Sequence, residues 1–262
     1  ALYGHQVAIS VTIVLLLMML NLRGLRESAS FLLFPVYTFI LVISLLIVVG
    51  LYNIVTGAVP LQATALPGAV VPGVSIALIL RAFSSGSSSL TGVEAISNAV
   101  PFFKKPRAKN AAATLTMMAL ILGFFFVGIT FINYWYGIVP EKEVTVLSQI
   151  GKAVFGHGIL YYVLQFATAL ILAVAANTGF SAFPVLAYNL AKDKFMPHMY
   201  QDRGDRLGYS NGIITLALGS IVLLFIFHGS TERLIPLYSI GVFIPFALSQ
   251  TGMVVKWKKE GK

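Results

Sequence analysis

Arg81-Ala82-Phe83-Ser84-Ser85-Gly86-Ser87-Ser88-Ser89-Leu90-Thr91-Gly92-Val93-Glu94 lies in the middle of an otherwise apolar stretch, 73–101. It sets two charges, Arg81 and Glu94, on either side of a run of Ser and Gly. An ionised side chain at mid-membrane costs several kcal/mol, so a charge at that depth points to function. Backbone that leaves the helix there must line a cavity or be buried in protein, because lipid has no partner for N–H and C=O groups. Half-helix, polar break, half-helix is the plan by which secondary transporters build sites near the bilayer midplane. Every other Asp, Glu, Lys and Arg falls in a loop or at a helix end.

The surrounding sequence is that of a membrane protein. The 262 residues are 58% hydrophobic and 10% charged, with a mean hydropathy of +0.88, far more apolar than a soluble domain. An all-α polytopic fold is expected. The apolar runs are too many and too long for a secretory signal, and the first lacks a basic leader and a small-residue cleavage site. There is no Cys, hence no disulfide framework, thiolate metal site or thiol nucleophile. The net charge of +9 is read from where the basic residues sit rather than as a nucleic-acid surface, and no nucleic-acid partner is expected. No phosphate-binding Gly-rich loop is present, which argues against ATP-driven pumping. Neither enzymatic chemistry nor a cofactor is expected.

Seven spans of about 20 mostly apolar residues each are expected at 6–22, 31–52, 73–101, 111–138, 158–183, 211–229 and 234–255. Basic residues collect in cytoplasmic loops, and here they alternate. Arg23 and Arg26, then Lys104, Lys105, Arg107 and Lys109, then Lys192, Lys194, Arg203 and Arg206, then Lys256, Lys258, Lys259 and Lys262 mark one side. The intervening loops hold only Lys142, Lys152 and Arg233. The N-terminus is therefore expected outside and the C-terminus in the cytoplasm. Segment 53–72, uncharged and with Pro60, Pro67 and Pro72, reads as an ordered outer cap. Segment 142–155 has apolar residues at helical spacing and reads as an amphipathic external helix. Segment 184–196 reads as a short cytoplasmic helix begun by Pro184 and stopped by Pro197.

The interrupted span carries the chemistry. Its first half, about 73–83, is expected to expose C-terminal carbonyls at mid-membrane, and its second half, restarting at Thr91-Gly92-Val93-Glu94, to expose N-terminal amides. Non-helical backbone is expected within 84–91. Carbonyl and hydroxyl oxygens with a carboxylate suit a hard cation such as Na⁺ or K⁺, whereas the amides suit a substrate carboxylate. Ser88, Ser89, Thr91, Gly92 and Glu94 form the candidate ion or substrate site. Thr91 and Glu94, three apart, share a helix face, and desolvation can tune a buried Glu to carry a proton. Two plainer readings stand beside this one. Arg81 and Glu94 neutralise one another as a structural pair, or the Ser run is a packing surface that lets helices approach closely. Asn177, Thr178 and Ser181 in the fifth span either line an ion path or make interhelical hydrogen bonds. Tyr238, after Pro236, either closes a pathway from outside or belongs to the interfacial aromatic belt. Tyr134 and Trp135 read as interfacial anchors. His5, His157, His198 and His228 have no metal-ligand spacing.

Asn21-Leu22-Arg23-Gly24-Leu25-Arg26-Glu27-Ser28 resembles the link between the fourth and fifth helices of the amino acid–polyamine–organocation (APC) transporter superfamily. Segment 88–115 is similar to its discontinuous sixth helix and the start of its seventh. More narrowly, Thr91-Gly92-Val93-Glu94-Ala95-Ile96-Ser97-Asn98, Asp202-Arg203-Gly204-Asp205-Arg206-Leu207, Ser210-Asn211-Gly212, Tyr238-Ser239-Ile240-Gly241-Val242-Phe243 and Leu248-Ser249-Gln250-Thr251-Gly252-Met253 resemble the KimA-type potassium uptake permeases. The resemblance implies a LeuT/APC-type inverted-repeat fold, of which this chain would be helices four to ten. It would be a single transmembrane domain, with 1–72 ending the first repeat and 73–262 forming the second. A start at Ala1 without an initiator Met agrees with that expectation of a fragment. The first and third helices, which complete the family's site, and the later cytosolic domain linked to cyclic di-AMP control would lie outside it. The resemblance further implies a homodimer and K⁺/H⁺ symport across the cell membrane, with the ion at Thr91, Glu94 and Tyr238. An amino acid permease is the alternative. A seven-span receptor fits the orientation, but not the mid-membrane break or the lack of an extracellular disulfide pair.

Overall fold

The computed structural model describes residues 5–23, 29–60, 75–86, 92, 96, 100, 103–141, 144–202 and 209–261. Among them the helices are α1 (Gln6–Leu22), α2 (Ala29–Val55), α3 (Ile76–Gly86), α4 (Arg107–Trp135), α5 (Val146–Phe155), α6 (Ile159–Lys192), α7 (Ser210–Ile226) and α8 (Thr231–Glu260). A single 3₁₀ turn, His198–Tyr200, precedes α7. Four of these helices contain a stretch long and apolar enough to cross a membrane: Leu33–Val55, Arg107–Trp135, Ile159–Lys192 and Arg233–Glu260. The helices α1 and α7, at 17 residues each, stand at the short end of the spanning range. Large apolar side chains such as Phe126, Leu120 and Leu172 lie on the outer surface, which in water would be an aggregation hazard and in lipid is the solvent-facing side.

Hydroxyls on these helices are satisfied within the helix. The Oγ atoms of Thr12, Thr38, Thr116 and Thr251 donate to the carbonyls of Ala8, Phe34, Ala112 and Ala247, one turn back. In hydrocarbon this removes the cost of an unpaired O–H.

The residues divide into two compact units, Ala1–Pro67 with Leu120–Leu223, and Gly68–Ala119 with Leu224–Lys262. The core of the first is built on Val42, Ile43, Leu46 and Ile47 of α2, Ile132 of α4 and Tyr136 just after it, Ile150 and Val154 of α5, and Leu164 of α6. Glycines allow the backbones of α2 and α4 to approach. A Cβ on Gly50 would stand 2.7 Å from Ile132 Cδ1, and one on Gly128 would stand 2.8 Å from Ile47 Cδ1. Each glycine thus receives the other helix's isoleucine, the small-residue packing expected where helices cannot gain from a hydrophobic effect between them. The Trp135 ring N–H donates to the Val59 carbonyl at 3.2 Å, so Trp135 is tied to the chain after α2, while Tyr134 is exposed.

The expected external helix is α5. Thr145 caps it, its Oγ1 accepting the Ser148 N–H at 3.2 Å, which satisfies one of the first-turn amides. Ser148 is buried on its inner face. Its Oγ lies 2.9 Å from the Tyr161 hydroxyl and accepts from Gln165 Nε2. A polar residue read as part of an apolar span therefore docks α5 onto α6. Gln165→Leu removes that donor. We expect hydrogen exchange across 146–155 to quicken by about tenfold, the effect of losing roughly one hydrogen bond, with the α2 core unchanged.

Segment 184–196, expected as a separate cytoplasmic helix, is not one. Instead α6 runs unbroken from Ile159 to Lys192 with Pro184 inside it. A proline in a helix leaves the i−4 carbonyl without its amide and crowds the turn before it. Neighbouring helices make this tolerable in membranes, and here Gly212 of α7 lies directly against Pro184. Nor does Pro197 stop the helix. The chain turns at Lys194, φ 65, where the Phe195 N–H reaches back to the Leu190 carbonyl at 2.8 Å, the hydrogen-bond pattern of a Schellman ending. The following turn is pinned by Tyr200 OH to Thr215 Oγ1 at 3.1 Å and by Gln201 Nε2 to the Ala191 carbonyl at 2.7 Å.

Of the expected outer cap, residues 53–60 form the end of α2 and a turn. The rest of it, 61–72, lies outside the described residues.

Candidate functional site

The interrupted span is built as a short helix followed by a turn. Ser75 opens α3, its Oγ accepting the Leu78 N–H at 3.1 Å. The helix continues through Ser84 and Ser85 to Gly86, so those three residues do not begin the break. This corrects the expected end near 83. Ser88, Ser89, Thr91 and Glu94 lie outside the described residues, and with them the question of an Arg81–Glu94 pair. Arg81 itself is exposed on α3.

Gly92 shows that helix does not run through the span. Its φ is +97, a conformation open to glycine and strained for other residues. Its carbonyl accepts the Ile96 N–H at 3.4 Å, and Ile96 is helical. A non-helical residue giving its carbonyl to the amide four positions on is how an N-cap opens a helix. Helix therefore does not run unbroken from Gly86 to Ile96: Gly92, expected in the restarted second half, is a turn residue between them.

Phe83 and Ser84 of α3 rest on α8. Ser239, 2% exposed, donates its hydroxyl to the Ser84 carbonyl at 3.2 Å and to its own helix's Ile235 carbonyl at 2.9 Å. Phe83 and Phe243 stack with ring centres 6.0 Å apart and planes inclined by 26°. Sequence reading singled out Tyr238 and passed over Ser239. Tyr238 is 44% exposed and is turned about 100° around the helix from Ser239. The signal for Ser239 was the spacing Ser239–Phe243, one turn apart on a single face.

The polar residues of the fifth span are engaged elsewhere. Asn177 Oδ1 accepts from Asn21 Nδ2 of α1 at 2.7 Å. Thr178 and Ser181 donate to the carbonyls of Val174 and Asn177. Interhelical and in-helix hydrogen bonds account for all three. Among the described residues no group of three His, Cys, Asp or Glu is placed to hold a metal ion.

Residues 3–262 match the family model described as "Amino acid permease". The chain is 56% identical over 262 residues to the potassium transporter KimA of Bacillus subtilis (strain 168), an alignment covering 99% of this chain and 43% of that protein. It thus spans less than half the length of this relative. The chain belongs to the amino acid permease family, as the resemblance to the APC superfamily implied, and is a multi-pass membrane protein of permease type.

Proposed function

We propose that the full-length member of the amino acid permease family from which these residues come takes up K⁺ together with H⁺ across the cytoplasmic membrane. The observation that carries this reading is the 56% identity, along 99% of the chain, to a protein named as a potassium transporter. The discontinuity at Gly92 supports it, since broken helices supply the polar backbone that such sites need. In this reading K⁺ is cargo, held at Thr91, Glu94 and Tyr238, with Ser88, Ser89 and Gly92 completing the ion or substrate site. Glu94 is the ion ligand or the proton-coupled group. The repeats divide at 1–72 and 73–262. The N-terminus of the chain is outside and its C-terminus cytoplasmic, because the basic loops alternate. Homodimerisation and control by cyclic di-AMP belong to the proposal through the family resemblance and rest on parts of the protein outside these residues.

The topology has its own test. In a full-length background cleared of Cys, Lys105→Cys is expected to react with a membrane-impermeant maleimide only after the cells are opened. Labelling of intact cells contradicts the orientation. A second reading, amino acid uptake, is favoured by the description of the family model itself. In that case amides around 86–92 take the substrate carboxylate, and labelled amino acids rather than K⁺ accumulate in cells expressing the protein.

A further inference from the structure

At several helix ends the cations of this chain sit where a helix welcomes them. The C-terminus is the negative pole of the helix dipole, so Lys and Arg in a last turn are stabilising. Lys152 lies in the last turn of α5, Lys192 in that of α6, and Lys258 and Lys259 in that of α8. The start of α4 breaks the pattern. Arg107 and Lys109 stand in its first turn, which holds no acid, and Lys104 and Lys105 come just before it. Positive charge at this end costs stability, both against the dipole and among the four side chains themselves. All four residues are exposed. Among the described residues none of them has an acidic partner; the ion pair there is Lys256 with Glu260, on α8. With 18 Lys and Arg against 9 Asp and Glu, the chain has no spare acids to neutralise them. The cluster is also held together. Asn110 donates its side-chain amide to the Lys104 carbonyl at 2.8 Å and its backbone N–H to the Pro106 carbonyl at 3.1 Å, which folds the Lys104–Lys105 turn back onto α4.

Four cations gathered at a helix end that disfavours them call for an anion from outside the chain. Where that end stands decides which anion. Arg107 is the first of the 29 residues of α4, a helix long and apolar enough to cross a membrane. At 1.5 Å per residue such a helix is about 44 Å long, close to the thickness of a bilayer with its headgroups. The cluster therefore stands at headgroup level, where the long stems of Lys and Arg reach lipid phosphates. We propose that Lys104, Lys105, Arg107 and Lys109 bind the headgroup of an anionic phospholipid, whose phosphate takes the place of the missing acid at the start of α4. Assigning that lipid to the cytoplasmic leaflet rests on the topology proposed above, which labelling of Lys105→Cys reads separately; the binding itself does not depend on it.

The test uses the full-length protein cleared of Cys, with a fluorophore on Ala112→Cys, an exposed position one turn further along α4. The protein is placed in mixed micelles containing phosphatidylglycerol or phosphatidylcholine that carries a nitroxide quencher near the top of an acyl chain. Each Lys or Arg near an anionic surface strengthens binding about fivefold. The wild type is thus expected to reach half-quenching at a mole fraction of phosphatidylglycerol at least about tenfold below that of phosphatidylcholine. The preference is expected to shrink as salt is raised and to vanish in the quadruple variant Lys104→Gln, Lys105→Gln, Arg107→Gln, Lys109→Gln. Lys256→Gln, Lys258→Gln and Lys259→Gln together, on α8, are expected to leave it in place. Equal quenching by the two lipids in the wild type, or a preference that survives the quadruple variant, overturns the proposal. Inorganic phosphate is expected not to compete; competition assigns the cluster to a soluble phosphate and overturns the lipid. Melting curves keep the result apart from a loss of fold. In phosphatidylcholine the quadruple variant is expected to melt at or above the wild type, because its first turn is relieved of cations. Added phosphatidylglycerol is expected to raise the wild type alone. A quadruple variant that melts lower in both lipids shows that the cations serve a contact within the protein, which also overturns the proposal.

Discussion

Glu94→Gln in the full-length protein is expected to abolish K⁺-dependent growth and to leave the protein folded. The substitution keeps the size and most of the hydrogen bonding of the side chain and removes its charge. An ion ligand or proton carrier depends on that charge. The competing reading makes Glu94 the partner of Arg81, whose side chain lies on α3. Removing one member of a buried pair leaves the other uncompensated, at a cost of about 3–5 kcal/mol. The main result would then be poor yield and early melting, and Arg81→Gln combined with Glu94→Gln would restore transport. If Glu94 serves the ion or the proton, the double variant folds and stays inactive. Growth assays on limiting K⁺, read beside a melting curve for each variant, separate the two, and recovery in the double variant retires Glu94 as a functional residue.

The largest structural effect is expected at Gly212. A Cβ there would stand 2.8 Å from Pro184 Cα and 2.9 Å from Pro184 Cβ. The obstacle is the Pro184 Cα and its closed ring, which cannot rotate aside, so α7 must move away from α6. Forced overpacking costs about 1–3 kcal/mol and sometimes more, and Gly212→Val should fall at the top of that range. Gly219 on the same helix is the control, because a Cβ there meets nothing within 4 Å. Gly219→Ala is expected to be neutral or stabilising by up to about 1 kcal/mol, from helix propensity alone. Thermal unfolding in detergent measures both. Equal melting of Gly212→Val and wild type would show that the Pro184 contact is not tight.

These two positions also show what was legible in the sequence. Hydrophobic length alone placed Gln6–Leu22, and it brought the ends of the other long helices within a few residues except at Pro184. Proline is a breaker when judged locally. What accommodates it is a glycine on the next helix, and no local pattern announces that pairing. The same holds for the break. Non-helical backbone was expected within 84–91, yet Ser84 to Gly86 are helical, with the Ser84 carbonyl accepting from Ser239 at the far end of the chain, while 87–91 lie outside the described residues. Asn177 was open between an ion path and a helix contact, and its partner Asn21 decides for the contact. Gln165 shows the reverse case. Lying in a span read as apolar, it donates to the Ser148 hydroxyl and so ties α5 to α6. Gly92, expected to sit in the restarted helix, is instead a turn residue with φ +97, a conformation that glycine alone adopts freely.

Uptake of radioactive rubidium by the purified full-length protein in proteoliposomes, under an inward proton gradient and with K⁺ or amino acids as competitors, tests the central claim most directly. Proton-coupled K⁺ transport through the break predicts uptake that collapses with a protonophore, is competed by K⁺ and not by amino acids, and is lost in Glu94→Gln. Rubidium-indifferent vesicles that accumulate labelled amino acids, or rubidium uptake undiminished in Glu94→Gln, would contradict it.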